Sequence, residues 1–422
     1  MSRERKQQTA ESSARPVPLG VDDFAAFSEG FCCVDKTLLI KKVMDSRTPV
    51  TLFARPQGFG KSFNLSMLRT FFEKSGKNTP AYFKGRDIWK CGRRYREEQG
   101  KYPVIYLSFR NAAGDSWETA SGRIMSIIAE AFASFPELLA GRKVNPLNDL
   151  PYCMSMASGS LDLPEYEDAL LKLSRMLKAH YHVAPVIIID DYDVPVRSGY
   201  EHGYYGEAAG FMRNFLSAGL KGNNSNIHYA FMAGEFPISL TDTYGGLNNI
   251  CASTVLDCDD YSGFFGFTAE ETKSVLEHYG LADRYPEVCE WYGGYKSGSD
   301  EIFCPQSVFS FIRSNGQAGA CRMPSDTAGI IHAAISGKAA DILLPLLKGD
   351  PVIVHIDRNI SFSKLKTDPS YACTILLHSG YLNAVEAKQD ANTWTLAVPN
   401  KESREALTLA MMSATDNSHV LS

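Results

Sequence analysis

The sequence predicts an α/β fold: a parallel sheet covered on both faces by helices, followed by a mainly helical second half. Three observations carry this. Short apolar runs alternate with amphipathic stretches through the first 260 or so of 422 residues. Residues 186–189 are β-branched and apolar throughout, the pattern of a strand buried on both faces. A Gly-Lys-Ser tripeptide, residues 60–62, stands at a strand-to-helix junction.

The elements are justified in chain order. Residues 50–53 (VTLF) form a short apolar run that Arg55 and Pro56 close. Residues 62–73 carry Phe63, Leu65, Met67, Leu68, Phe71 and Phe72, a nearly all-round apolar helix. Residues 104–109 (VIYLSF) read as a second strand, 124–132 as a helix, and 162–181 as an amphipathic helix. After the 186–189 strand, 208–220 is helical and 227–232 is a fourth strand, ended by Gly234. The pattern changes near Tyr261. Residues 270–279 form a helix with Thr268 and Glu271 as its capping box. Short helices near 307–312 and 339–347 follow, and 375–382 and 393–398 give a last helix and strand. Residues 140–160 are the least regular and read as a mobile surface insertion.

Composition excludes several classes. Hydrophobic residues are 44% and charged residues 22%, which rules out disordered, collagenous and coiled-coil chains. A net charge of −5 argues against a general nucleic-acid coat. The ten cysteines, Cys32 and Cys33 among them, include no C-x-x-C and no zinc spacing, so they read as reduced thiols of a cytoplasmic protein. Residues 1–16 are charged without an apolar stretch and read as a disordered tail, not a leader. No run approaches the ~20 apolar residues of a membrane helix, and no membrane contact is expected.

Two motifs carry chemistry. In Arg55-Pro-Gln57-Gly58-Phe59-Gly60-Lys61-Ser62, backbone N–H groups at a helix start can cradle phosphates. Lys61 would reach the β- and γ-phosphates, Ser62 would hold Mg²⁺, and Gly60 would let the backbone approach. Arg55 stands where the full pattern has its first glycine, and a solvated helix cap is the competing reading of the loop. The second motif is the strand 186–189 ending in Asp190-Asp191-Tyr192-Asp193. Asp190 suits a Mg²⁺ ligand, Asp191 an acid that polarises water, and Asp193 could orient a basic side chain. Turn-forming aspartates at a strand end are the alternative. The two motifs lie 129 positions apart, so an insertion separates them. Ala233, Gly234 and Glu235 at the fourth strand's end offer no Ser, Thr or Asn to sense a phosphate.

Over residues 17–400 the chain resembles the bacterial AAA-ATPase-like proteins, often joined to a C-terminal PD-(D/E)XK nuclease domain. The ordered blocks are Val17 to Phe24 (VPLGVDDF), Val34 to Thr37 (VDKT), the loop at 55–62, Pro103 to Phe109, the Asp190 strand, Gly246 to Asn249, Gly266 to Thr268, Trp291 to Tyr295, Pro305 to Val308, Ser379 to Leu382 and Val398 to Asn400. The resemblance implies a P-loop core, here 17–260, and a helical, winged-helix-like region, 261–422. It implies ATP and Mg²⁺ as ligands, bound through Arg55, Gln57, Gly58, Phe59, Gly60, Lys61, Ser62 and Phe63, with Ser62 and Asp190 on the metal and Asp191 and Lys61 as catalytic residues. It places Val34 to Thr37 near the nucleotide base, or else at a helix start capped by Asp35. Arg55 in the first-glycine place matches the family's R-P-R-R-F-G-K-S. Gln57 and Gly58 replace its two arginines, Asp191 its usual Glu, and Ala233 and Pro237 its common Thr and Arg. These departures bear on hydrolysis more than on binding. The chain stops near residue 422, so the nuclease domain is expected to be absent.

Other features read more plainly. Asp368, Glu386 and Lys388 mimic nuclease residues but sit in what reads as turn and hairpin. Arg93, Arg94 and their basic neighbours at 84–101 read as solvated surface rather than a nucleic-acid patch. His180 and His182 read as packing or capping residues, and Trp291, Tyr292 and Tyr295 as packing between the two parts. The first functional reading is an ATP-binding, weakly hydrolysing, Mg²⁺-dependent nucleotide switch. The alternatives are a nucleotide-binding scaffold without turnover, acting through a protein partner or a homo-oligomer, and a nucleic-acid-associated module lacking its nuclease. No arginine finger is visible in the chain, so any finger is expected from a neighbouring subunit.

Overall fold

The structure is a computed structural model and describes residues 16–31, 34–140, 149–238, 250–257, 261–298, 300–321, 328–336, 339–388 and 392–420. The 1–15 part of the expected tail, Cys32, Cys33 and the Gly246 to Asn249 block lie outside these.

Five parallel strands form the main sheet: β1 (Val50–Ala54), β2 (Val104–Ser108), β3 (Val186–Asp190), β4 (Tyr229–Gly234) and β5 (Ile250–Ser253). Their order is β2-β3-β4-β1-β5. Side chains alternate between two apolar layers, as the strand period of two requires. Leu52, Ile105, Ile187, Ile189 and Met232 face helices Trp117–Ala133, Ala169–Tyr181 and Tyr205–Leu216. Phe53, Val104, Ile188 and Phe231 face helix Lys61–Phe72. Burial on both sides explains why β1 and β3 read as unbroken apolar runs. β4 pairs with β1 and β3 in parallel, so the ends of the loop strand and the acidic strand open on one edge of the sheet.

The second half departs from expectation. In place of one small strand pair it carries two three-stranded antiparallel sheets. One is β6 (Phe267–Thr268), β7 (Tyr295–Ser297) and β8 (Asp300–Phe303), in the order β6-β8-β7. The other is β9 (Val352–His355), β10 (Asn383–Ala387) and β11 (Thr393–Ala397), in the order β10-β11-β9. Helix Tyr371–His378 precedes the β10–β11 hairpin. Four of these six strands are two to four residues long and give too little alternation to read. Residues 140–160 also differ: they include helix Asp149–Ala157, whose Cys153 and Met156 are buried in the main core. Pro164 splits the expected 162–181 helix into a 3₁₀ turn, Leu163–Tyr166, and helix Ala169–Tyr181. The Thr268–Glu271 capping box forms as expected. Ile330, Ile375 and Leu407 of the second half share the main apolar core with the sheet. Among the described residues no single helix is long and apolar enough to cross a membrane.

His378 is buried near Arg55 at the junction of the halves. Burial, helped by the Arg55 charge and opposed by the Asp357 backbone and Asp257, pushes its pKa down from 6.5 to about 4. The unfolded chain therefore takes up a proton below pH 6.5 that the folded chain refuses until about pH 4. Stability should be complete above 6.5 and fall as the pH drops towards 4, by about 2 kcal/mol at pH 5. Urea unfolding at pH 7.5 and 5 measures this, and His378→Leu should remove that share of the slope.

Candidate nucleotide-binding site

β1 ends at Ala54, and the Arg55 N–H donates to Gly234 O of β4 at 3.1 Å. The chain then turns through Gly58 (φ 85°) and Gly60 (φ 82°), left-handed conformations that glycine adopts without strain. Gly60 is the N-cap of the twelve-residue helix Lys61–Phe72. Lys61 Nζ folds back on the loop, donating to Arg55 O at 2.9 Å and Pro56 O at 3.1 Å. Its side chain is 8% exposed. Among the described residues no carboxylate lies within ion-pair distance of it.

The acidic strand end meets this loop. Asp190 is fully buried, and its Oδ1 accepts from the Asp191 N–H at 3.1 Å. Its Oδ2 is buried without a well-formed hydrogen bond. Burial first, and the neighbouring Asp191 second, push the Asp190 pKa up to about 6, against the pull of Ser62, Lys61 and Arg110. Asp191 sits at φ 53°, a left-handed conformation that Asp enters more readily than Glu. That gives a local reason for the shorter acid here. Asp193 does hold a basic side chain: it pairs with Arg197 at 3.3 Å and accepts from the Glu235 and Phe236 N–H groups at 3.1 Å. Arg197 also pairs with Glu235 at 3.5 Å, so one guanidinium is shared between the two acids.

Loop and acids open into a cavity of about 840 Å³, a size suited to a nucleotide-scale ligand. Gln57, Gly58, Phe59, Gly60, Lys61, Ser62 and Phe63 line it, as does Asp191. Its apolar wall includes Leu19, Val34, Phe264 and Phe309. Lys36 also lines it, tied to Glu271 at 2.6 Å and to Gly263 O at 2.7 Å, while Asp35 accepts from Thr37 N–H at 2.9 Å. Arg55 is a correction. Its guanidinium does not line the cavity but turns to β5, donating to Ser253 O at 2.5 Å and Ser253 Oγ at 2.8 Å and lying over Phe265. The side chain is buried on the far side of the loop, and only its carbonyl serves the site, through Lys61.

Sequence reasoning missed Arg110, just beyond β2. It donates to Ser62 Oγ at 3.0 Å, Asp191 at 3.2 Å and Asp22 at 2.8 Å. The available signal was its place: β2 is parallel to β3, so the residues after each strand meet on one edge. The second half grips the loop from behind. Gly266 N–H donates to Phe59 O at 3.1 Å, Gln306 N–H to Gly58 O at 3.4 Å, and Tyr295 packs edge-on against Phe59. Tyr295 in turn reaches Gly380 O and Ser403 Oγ, both in its own half, so that of its contacts here the one with Phe59 is the one that joins the two parts. A Cβ on Gly58 would meet Cys304 Sγ and Gln306 Oε1 at 2.8 Å. Cys304 and Gln306 therefore leave no room for a side chain at position 58. Gly58→Ala should cost about 2 kcal/mol, and Gly60→Ala, which meets nothing within 4 Å, about 1. Denaturant unfolding of the two variants tests the difference.

The remaining candidates stay apart. Glu386 and Lys388 pair on the β10 end, and Asp368 accepts from Ser370. In the basic stretch, Arg93 pairs with Glu97, Arg94 with Asp45, Lys90 with Asp87 and Lys101 with Glu98. His182 caps helix Ala169–Tyr181 at φ 59°.

A family model described as Predicted AAA-ATPase matches residues 18–244, more than half of the chain. The chain belongs to this AAA-ATPase family. The matched span runs from the strap before the loop through the end of β4 and so contains both motifs. No curated protein matches. Among solved structures, the ORC1 protein of Aeropyrum pernix in complex with DNA is similar over 91% of this chain and 93% of that one, at 11% identity and a TM-score of 0.30.

Proposed function

We propose that the chain is an ATP-binding, weakly hydrolysing, Mg²⁺-dependent nucleotide switch. The observation that carries this is the buried Lys61 ammonium, held by two carbonyls at a helix N-terminus, with Asp190 acting on it through charge but, among the described residues, no carboxylate within ion-pair distance. A buried cation without a direct ion pair is costly, and a phosphate relieves that cost. The metal fits as well. Ser62 Oγ and the unsatisfied Asp190 Oδ2 offer two hard oxygens, and among the described residues no group of three or more His, Cys, Asp or Glu is placed to hold an ion alone. Two protein ligands suit Mg²⁺ that arrives with a nucleotide and keeps its waters. Ser62 and Asp190 would hold the ion, which would supply positive charge to offset that of the phosphates.

The roles divide by residue. Lys61 and the loop N–H groups orient the phosphates, with Gln57, Phe59 and Phe63 as flanking walls. Asp191 accepts a hydrogen bond from the attacking water and aligns it. Its carboxylate is short and already engaged by Arg110, which supports slow turnover. The switch part of the reading rests on the loop's ties to Gly266, Gln306 and Tyr295. A core at 17–260 would report its occupancy through them to a lid and wing at 261–422. A reducing cytoplasm suits the seven described cysteines, all free.

The test compares ATP binding and phosphate release in native protein and Asp191→Asn. Binding within about twofold of native, with release reduced at least ~100-fold, is the expected result. Unchanged release would remove Asp191 from the mechanism. Binding without any release by the native chain would favour the scaffold reading, which the apolar Ala233 at the end of β4 also supports.

A further inference from the structure

We propose that Arg110 is the γ-phosphate sensor of this chain, a role acting from within the same subunit; this rests on the ATP reading above. The Phe109 N–H donates to Asp190 O at 2.9 Å and fixes the end of β2 beside the acids. Arg110 then reaches across. One guanidinium nitrogen lies 3.0 Å from Ser62 Oγ and 3.9 Å from Asp190 Oδ2. Nε lies 3.2 Å from Asp191, and the remaining nitrogen 2.8 Å from Asp22 on the strap that precedes the loop.

Ser62 and Asp190 are the two side chains assigned to the metal. The guanidinium lies beside both of them, a tethered cation at that edge of the site. A nucleotide and metal held there would displace it from Ser62 Oγ. Asp22 and Asp191 hold its other nitrogens, so it stays at the same edge of the site. Its freed donors then face the end of the phosphate chain, where a triphosphate differs from a diphosphate. Arginine suits this, with a permanent charge and planar donors matched to phosphate oxygens.

Of the other cations that line the cavity, Lys61 already has its own phosphate role, Arg197 is paired with Asp193 and Glu235, Lys36 is paired with Glu271, and Arg313 is exposed at the end of helix Pro305–Arg313. Ala233 supplies no polar group at the end of β4, where a phosphate sensor was sought in the sequence. Arg110 fills that gap from β2.

The test is the ratio of affinities for Mg²⁺–AMPPNP and Mg²⁺–ADP, measured by calorimetry without turnover. Native protein should prefer the triphosphate. Arg110→Ala should cut that preference about tenfold, the loss of one charge-assisted contact. It should leave Mg²⁺–ADP binding equal or tighter, because the competing cation is gone. Arg110→Gln, which keeps the length and loses the charge, should behave alike. An unchanged ratio in either variant, or equal weakening of both nucleotides, overturns the sensor role while leaving ATP binding intact. Native protein that binds neither nucleotide overturns the ATP reading and the sensor with it.

Discussion

Lys61→Ala is expected to lower ATP affinity at least ~100-fold, the loss of about two charge-assisted contacts to phosphate. The same substitution should leave folding stability unchanged or slightly raised. The two signs together make the test sharp. A buried lysine that served the fold would have a carboxylate partner, and its removal would strand that partner at a cost of about 3 kcal/mol or more. Among the described residues Lys61 makes its hydrogen bonds to the Arg55 and Pro56 carbonyls, at 2.9 and 3.1 Å, and no carboxylate is within ion-pair distance. Those carbonyls sit on an open cavity and can take water in the variant. Calorimetric binding and urea unfolding of one variant measure both. Loss of stability with binding retained would make the loop a structural turn. Loss of binding with stability retained assigns Lys61 to the ligand.

What could be read from the sequence follows from how the elements are buried. β1, β2, β3 and β4 were legible because each is a continuous apolar run between turn residues. The loop and Asp190 were legible because the chemistry sits at the ends of those same strands. β5 was not: Ile250–Ser253 is four residues long, and two of them are exposed. Helix Asp149–Ala157 was missed because its apolar side is narrow, with only Cys153 and Met156 buried. Arg55 was misplaced because its side chain is directed by Ser253, a residue 198 positions away. Arg110 was missed for a related reason. Its meaning depends on β2 lying beside β3, and strand order is a property of the sheet rather than of any one run. Asp193 was anticipated as an orienting acid, but its partner Arg197 shows its role only with β4 in place, since Glu235 completes the cluster.

That cluster should be the most sensitive buried feature near the site. Arg197→Met is expected to destabilise the fold by about 3–5 kcal/mol, because removing one partner of a buried ion cluster strands the others. Asp193 keeps its hydrogen bonds from the Glu235 and Phe236 N–H groups, so the cost falls mainly on Glu235. Glu235 is 6% exposed and would lose its Arg197 ion pair. Arg197→Met with Glu235→Gln should therefore recover a large part of the loss, whereas Glu235→Gln alone should cost less than Arg197→Met. Urea unfolding of the three variants at pH 7.5 decides this. A non-additive recovery identifies the charge, and equal additive losses would identify packing instead. Nucleotide affinity should follow the same order. Arg197 and Glu235 both line the cavity, and the loss of Arg197 makes its lining more negative towards an anionic ligand. The single Arg197 variant should then bind Mg²⁺–ATP more weakly than the double variant, although the double variant has lost more of the native polar groups.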